Sequence, residues 1–423
     1  MDKILIRQEV LRRLQYDMEA TDETVYREID RAILKDGHSF YGSLKEKSVI
    51  REEIFNSIRR MGILEKYLKD DRVTEIMVTG KDHIFVEREG TIYRTADRFC
   101  EEAEIYRLID QMVAETNRMV NESVPIVDSR LPDGSRVHIV LPPVSLSGPV
   151  ITIRKFQKGG MTMEKLIEYG EFLKELTPIL SCLVKGRYSI LIDGATNSGK
   201  SSLLNALAGY MEPDERIITI EDSAELQFHM ENLVRMETRD ANVEGENGIT
   251  MEDLIKASLR MRPSRIIVGE VRGREAVSML MAFSTGHNGS LSSIHANSCR
   301  DALRRLETMT LMGMDMPLKA VQGLIASSID VMIHIGRLPS GRRKILEICE
   351  MKDYDGQEYI LNPLFKYDYD KGEEGRLLPV GDLYHVERLK GYHLYETFCK
   401  AMDEYRDKEN KAGGHSGDYS DYT

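Results

Sequence analysis

The most constraining feature of this chain is one short run, Gly194-Ala-Thr-Asn-Ser-Gly199-Lys200-Ser201, which fits the pattern GxxxxGK[ST]. The apolar stretch SILID precedes it and SSLLNALAGY follows it, which is the order strand, loop, helix. Glycines in such a loop let backbone N–H groups turn inward onto phosphate oxygens, and the following helix adds its positive N-terminal pole. Lys200 is placed to reach β- and γ-phosphates, and the Ser201 hydroxyl is the expected Mg2+ ligand. Gly194, Ala195, Thr196, Asn197, Ser198, Gly199, Lys200, Ser201 and Ser202 are therefore expected to hold a nucleotide. The loop by itself specifies a nucleotide and not a reaction.

The surroundings of the loop set the fold class. Residues 187–350 alternate apolar strands (YSILIDG, RIITIED, NLVRMET, RIIVGE, SLSSIHA) with helical segments, which argues for a mostly parallel sheet covered by helices. Residues 73–156 read differently, as short strands around Gly-containing turns, one helix (EEAEIYRLIDQMVAETNRMV) and a hairpin with Pro-Asp-Gly at its turn. The expected organisation is a helical segment at 1–70, a small α+β domain at 71–157, an α/β motor domain at 158–350, an acidic Tyr-rich extension at 351–410 and a disordered polar tail at 411–423.

Composition narrows the class of partner. The net charge is −12, but it is unevenly spread: −5 over residues 1–150, −1 over 151–351 and −6 over 352–423. A near-neutral centre with acidic flanks disfavours non-specific nucleic-acid binding. The apolar runs are too short to cross a bilayer, and the charged N-terminus MDKILIRQEVLRRL is unlike a signal peptide. Five scattered cysteines without a CxxC pair argue against a zinc knuckle or a disulfide framework and for a reducing, cytosolic setting.

Acidic, basic and imidazole groups cluster after the loop. RIIVGE is an apolar strand ending in Glu270, and a carboxylate at such a tip suits a general base. Gly269 stands where P-loop proteins often carry an Asp, so Mg2+ would need another acid; Glu221, Asp222 and Glu225 are the candidates. Residues 235–274 carry seven Arg and one Lys. Arg is the better planar partner for phosphate and carboxylate, so both arginine fingers and structural ion pairs are open readings. His287 and His295 lie in a Gly/Ser-rich stretch after the Glu270 strand, placed to sense a γ-phosphate, with no third ligand spaced for a metal.

Taken together, GATNSGKSSLLNAL, RIITIEDSAELQ, the stretch from LVRMETRD to RIIVGEVRG, and STGHNGSLSSIHANSCRDALRRLETM resemble the Walker A, Asp box, Walker B and His box of type II/type IV secretion-system ATPases. The nearest resemblance is to the CpaF/TadA type, which powers tight-adherence (Flp) pili, and it spans roughly residues 70–350. It implies a RecA-like motor preceded by a PAS-like α+β domain. It implies hydrolysis of ATP with Mg2+ by a homo-hexamer at the inner face of the cytoplasmic membrane, acting on a polytopic platform protein to assemble a pilus or secrete protein. It also implies site roles: Glu270 as base, Glu221 assisting with water or Mg2+, His295 as the His-box residue, Arg235 and Arg239 near the nucleotide, and Arg130 and Arg136 reaching it from the N-terminal hairpin. The loop departs from the family in having Asn197 for Gly and Ser201 for Thr, and SSIHA replaces a Thr pair before the histidine. An alternative function is a DNA-conjugation coupling ATPase or a RecA-like nucleic-acid translocase.

Overall fold

The structure is a computed structural model that describes residues 3–14, 21–35, 44–88, 90–114, 119–156, 161–170, 172–228, 230–239, 241, 246–370 and 375–413. The chain divides into two compact units, Met1–Lys158 and Gly159–Thr423.

The first unit opens with helices α1 (Lys3–Leu14), α2 (Asp22–Lys35) and α3 (Leu44–Arg59). Their apolar stripes meet in a cluster of their own around Val10, Val25, Ile29 and Phe55, with Tyr26 stacked on Phe55 at 3.9 Å. A short helix α4 (Glu65–Lys69) leads into β1 (Val73–Thr79), β2 (His83–Arg88) and β3 (Thr91–Arg94), then α5 (Glu102–Ala114), β4 (Ile126–Arg130), β5 (Arg136–Val140) and β6 (Val150–Arg154). Among the described residues the strands form an antiparallel sheet in the order β3-β2-β1-β6-β5-β4. Its core collects Ile76, Val78, Ile84, Ile139, Ile151 and Ile153 with Ile105 and Ile109 of α5. The hairpin read around Pro132-Asp133-Gly134 is β4–β5. Its turn is closed by Gly134 at φ +91° and by the Asp133 carboxylate accepting from the Ser135 N–H at 2.9 Å.

The second unit contains α6 (Met163–Glu168), α7 (Leu176–Lys185), β7 (Ile190–Gly194), α8 (Lys200–Ala208), β8 (Ile217–Glu221), β9 (Leu233–Glu237), α9 (Met251–Ser258), β10 (Arg265–Val271), α10 (Ala276–Ser284), β11 (Leu291–Ile294), α11 (Cys299–Gly313) and α12 (Leu318–Ser328). It ends with β12 (Val331–Arg337), β13 (Arg343–Tyr354), β14 (Tyr359–Asp368), β15 (Arg376–Pro379), α13 (Glu387–Gly391) and α14 (Tyr395–Gly413). One sheet runs β15-β14-β13-β12-β7-β11-β10-β8-β9, parallel from β12 to β9 and antiparallel beyond β12. Both faces are covered, and β7 shows why the strand is apolar throughout. Ile190 and Ile192 point into the core lined by α7, α8 and α14, while Leu191 points into the one lined by α9–α12. The architecture is the RecA-like α/β motor with a preceding α+β domain that the motifs imply.

The C-terminal region differs from the expectation of a separate extension at 351–410. The boundary at 350 falls inside β13, and β14, β15 and α14 continue the sheet and core of the second unit. The tyrosines there serve packing: Tyr405 is buried edge-on to Phe365 at 5.1 Å, and its hydroxyl donates to Leu377 O at 2.9 Å. The expected disordered tail lies, from residue 414 onward, outside the described residues. No helix among the described residues is long and apolar enough to cross a membrane.

Candidate active site

The phosphate-binding sequence sits between β7 and α8, at the centre of the sheet. Asn197 (φ +59°) and Gly199 (φ +103°) both take left-handed backbone, so asparagine meets the demand that the usual glycine would. Gly194 is required for another reason. A Cβ there would lie 2.3 Å from Ile335 O and 2.6 Å from Ser198 Oγ, so the loop can turn only on a bare backbone. Ala195, Thr196, Asn197 and Ser201 are exposed, Ser202 is half-buried, and Ser198 is buried. Asn197 O is held from β13 by Arg343 Nε at 3.0 Å.

Lys200 is buried and folded back into the loop. Its ammonium donates to Gly194 O at 3.1 Å and Ala195 O at 3.0 Å, and lies 3.1 Å from His295 Nδ1 and 3.9 Å from Glu270 Oε1. Burial pushes the Lys200 pKa down, with the Glu270 carboxylate opposing and Arg272 adding to the shift. His295 Nε2 lies 2.7 Å from Glu270 Oε1. Burial holds the His295 imidazole below its ordinary range, and the Lys200, Arg272 and Arg305 cations add to this against the pull of Glu270. A neutral ring lets Nδ1 accept from Lys200, while Nε2 lies against Glu270 Oε1, a buried oxygen with no hydrogen-bond partner among the described residues. The second Glu270 oxygen takes Arg272 Nη2 at 2.7 Å and Nε at 3.1 Å. The result is a continuous line from Lys200 through His295 and Glu270 to Arg272.

Glu221 ends β8, beside the Glu270 strand, and is buried. Its Oε2 accepts from Glu225 N at 2.8 Å and Leu226 N at 3.0 Å, while its Oε1 has no hydrogen-bond partner among the described residues. Burial raises its pKa, opposed by those two N–H groups and by Arg235. A buried carboxylate oxygen left without a partner fits a site that expects a cation or water. The exposed Ser201 hydroxyl at the start of α8 fits the same demand. Gly269 makes room for this acid: a Cβ at 269 would sit 3.0 Å from Glu221 Cγ.

The remaining expected residues divide. Arg235, in register with Thr219 on β9, acts electrostatically on Glu221, whereas Arg239 donates to Asn247 O at 2.9 Å. Arg130 and Arg136 face each other across β4–β5 in the first unit, and Arg136 is also opposite Arg154. His287 Nδ1 lies 3.0 Å from Ala282 O and closes the end of α10. Two contacts were not assigned in the sequence. Arg272 was detectable, since it stands two residues after Glu270, one position beyond the end of β10. Arg343 was not, because it comes from the antiparallel edge.

The profile described as "Type II/IV secretion system protein" matches residues 58–363. The chain belongs to this family. A member-like relative, a putative conjugal transfer protein of Mycobacterium tuberculosis, is 34% identical over 302 residues, covering 70% of this chain and 86% of the relative. The type IV secretion system protein VirB11 of Brucella suis is 30% identical over 300 residues, covering 64% of this chain and 83% of that protein. Among solved structures, the pilus retraction motor PilT with bound ADP superposes with a TM-score of 0.52 at 19% identity, over 84% of this chain and 93% of that one, which is a likeness of fold.

Proposed function

We propose that this family member is an ATP hydrolase of the CpaF/TadA type, working with Mg2+ as a cytoplasmic homo-hexamer at the inner face of the membrane. It would couple hydrolysis to assembly of a Flp-like pilus, or to protein secretion, through a polytopic platform protein. The observation that carries the reading is the convergence of Lys200, His295 and Glu270 at the mouth of the loop. In it the loop N–H groups, Lys200 and Ser202 bind the phosphates, and Ser201 with Glu221 holds Mg2+. Mg2+ held there would supply positive charge against the phosphates. Glu270 accepts the proton of the attacking water through Oε1, while Arg272 holds the carboxylate through Oε2. Arg235 would supply positive charge near the phosphates, and Arg239 would contribute through the loop after β9.

The test is Mg2+-dependent phosphate release by the purified chain, alone and with membranes containing its platform protein. Glu270→Gln keeps the volume but loses the base, so nucleotide binding persists while turnover falls by about 10²- to 10⁴-fold. Absence of turnover in the wild-type chain under both conditions refutes the reading. The conjugal-transfer naming of relatives favours a second reading, DNA-conjugation coupling. Salt-sensitive DNA binding by the hexamer at physiological ionic strength would select it.

A further inference from the structure

Behind the phosphate loop, on the opposite side of β7's last turn from solvent, four segments bring metal-ligating side chains together. Cys299 is the first residue of α11, and Glu347 and Cys349 are two apart on β13. One ligand atom from each of the three lies within 4.8 Å of the others. Both cysteines are buried and free of disulfide. Asp193, the residue before Gly194, is wholly buried beside the Cys299 thiol. Its Oδ1 lies 2.5 Å from His334 Nδ1, whereas its Oδ2 has no hydrogen-bond partner among the described residues. The strand register explains the convergence: His334 on β12 is opposite Asp193 on one side and Glu347 on the other.

This is a poor arrangement for a core and a good one for a cation. Two thiols and a carboxyl converge beside a buried Asp193–His334 pair, and the Asp193 Oδ2 makes no hydrogen bond among the described residues. Ordinary core packing would fill the space with apolar groups at lower cost. Two sulfur ligands select a soft or borderline cation over Mg2+ or Ca2+.

We propose that this cluster binds one Zn2+ ion, held by Cys299 and Cys349 as thiolates and by Glu347, with the Asp193–His334 pair packed beside it. Three protein ligands leave the fourth tetrahedral position to water. Each thiol gives its proton to solvent on binding, so affinity rises with pH. The histidine-to-carboxylate contact supplies the outer support such ligands need. The consequence is mechanical: the ion ties the start of α11, four residues after His295, to β13, which also carries Arg343.

The experiment uses the full chain in a Cys100→Ser/Cys399→Ser background, which removes the more accessible thiols. The protein is stripped with a chelator, and Zn2+ or Co2+ is added alone. One Zn2+ per chain, and a Co2+ form with thiolate charge-transfer and tetrahedral d–d bands, are expected. Cys349→Ser abolishes the charge-transfer intensity contributed by one thiolate. Glu347→Gln, which keeps the volume and safeguards folding, weakens Zn2+ binding by about tenfold or more. The proposal is overturned if stripped wild-type protein gives no thiolate–Co2+ bands, if Glu347→Gln and Cys349→Ser bind as wild type does, or if the two cysteines are found joined as a disulfide without added oxidant.

Discussion

Replacing Arg265 by Met should destabilise the second unit more than any other single change in the arginine-rich stretch. Arg265 is fully buried at the start of β10 and grips the buried Glu215 with two bonds, Nε to Oε2 at 2.5 Å and Nη2 to Oε1 at 2.7 Å. Its Nη1 donates to Val184 O at 2.7 Å and Gly289 O at 3.2 Å, so one side chain joins α7, β10 and the loop before β11. Arg265→Met strands Glu215 with Arg187, 3.2 Å away, as its remaining charge partner. Removing one partner of a buried pair costs about 3–5 kcal/mol, whereas replacing both by apolar groups is often neutral. At roughly 2–4 °C per kcal/mol for a unit of this size, the midpoint of thermal unfolding should fall by about 10 °C. Arg265→Met/Glu215→Leu should recover most of that loss. The pH dependence gives an independent check. Burial raises the Glu215 pKa, but the bonds and charge of Arg265 and then Arg187 outweigh it, so the folded value is depressed. Its contribution is present above the ordinary carboxylate range and lost as pH falls through the depressed value, and that acid-side loss should vanish in Arg265→Met. Melting curves at one protein concentration without nucleotide suffice. A single variant within about 1 kcal/mol of wild type, or a double variant no better than the single, would refute the coupling.

Two further outcomes concern the site. Gly269→Ala should cost about 1–3 kcal/mol through its contact with Glu221 Cγ, and combining it with Glu221→Ala should relieve the strain, measured as non-additivity in urea midpoints. The Lys200→Ala variant should raise the His295 pKa, because a cation that depresses it is gone, while Glu270→Gln should lower it further; histidine-selective NMR of the full chain reads both signs.

The phosphate loop and the strand-tip carboxylate were legible because each is a local pattern: loop geometry needs glycine or asparagine at fixed offsets, and a strand tip is visible as an apolar run ending in an acid. What residue type alone could not encode was burial. Arg265 and Arg272 look alike in the sequence, yet one is a core clamp and the other an exposed partner of Glu270. His287 and His295 share one Gly/Ser-rich stretch, but only His295 meets Lys200, because it follows a strand while His287 closes a helix. Strands β14 and β15 were hidden for a related reason. They extend the antiparallel edge with tyrosines and charged residues interleaved, and the apolar contacts they make are with α14, far along the chain. The pairing of Glu221 with the gap at Gly269 was equally invisible, since it is a contact between neighbouring strands that are distant in sequence.

The last consequence follows from Lys200 having one ammonium for two duties. It donates to Gly194 O and Ala195 O and lies 3.1 Å from His295 Nδ1. Under the proposed function, a β/γ-phosphate must draw it away from these acceptors, and His295 Nδ1 then loses its donor. The neutral ring loses a hydrogen bond that favours it and gains nearby negative charge, so both effects raise the His295 pKa. Nucleotide binding should therefore move the imidazole titration upward, with Nε2 still lying against Glu270. The shift should be absent in Lys200→Ala, where the donor is already missing and the phosphate is poorly held. Titrating His295 with and without a non-hydrolysed ATP analogue decides it. An unchanged or lowered pKa would mean that Lys200 stays on His295 when phosphate binds, and that the line from the loop to Glu270 does not respond to the nucleotide.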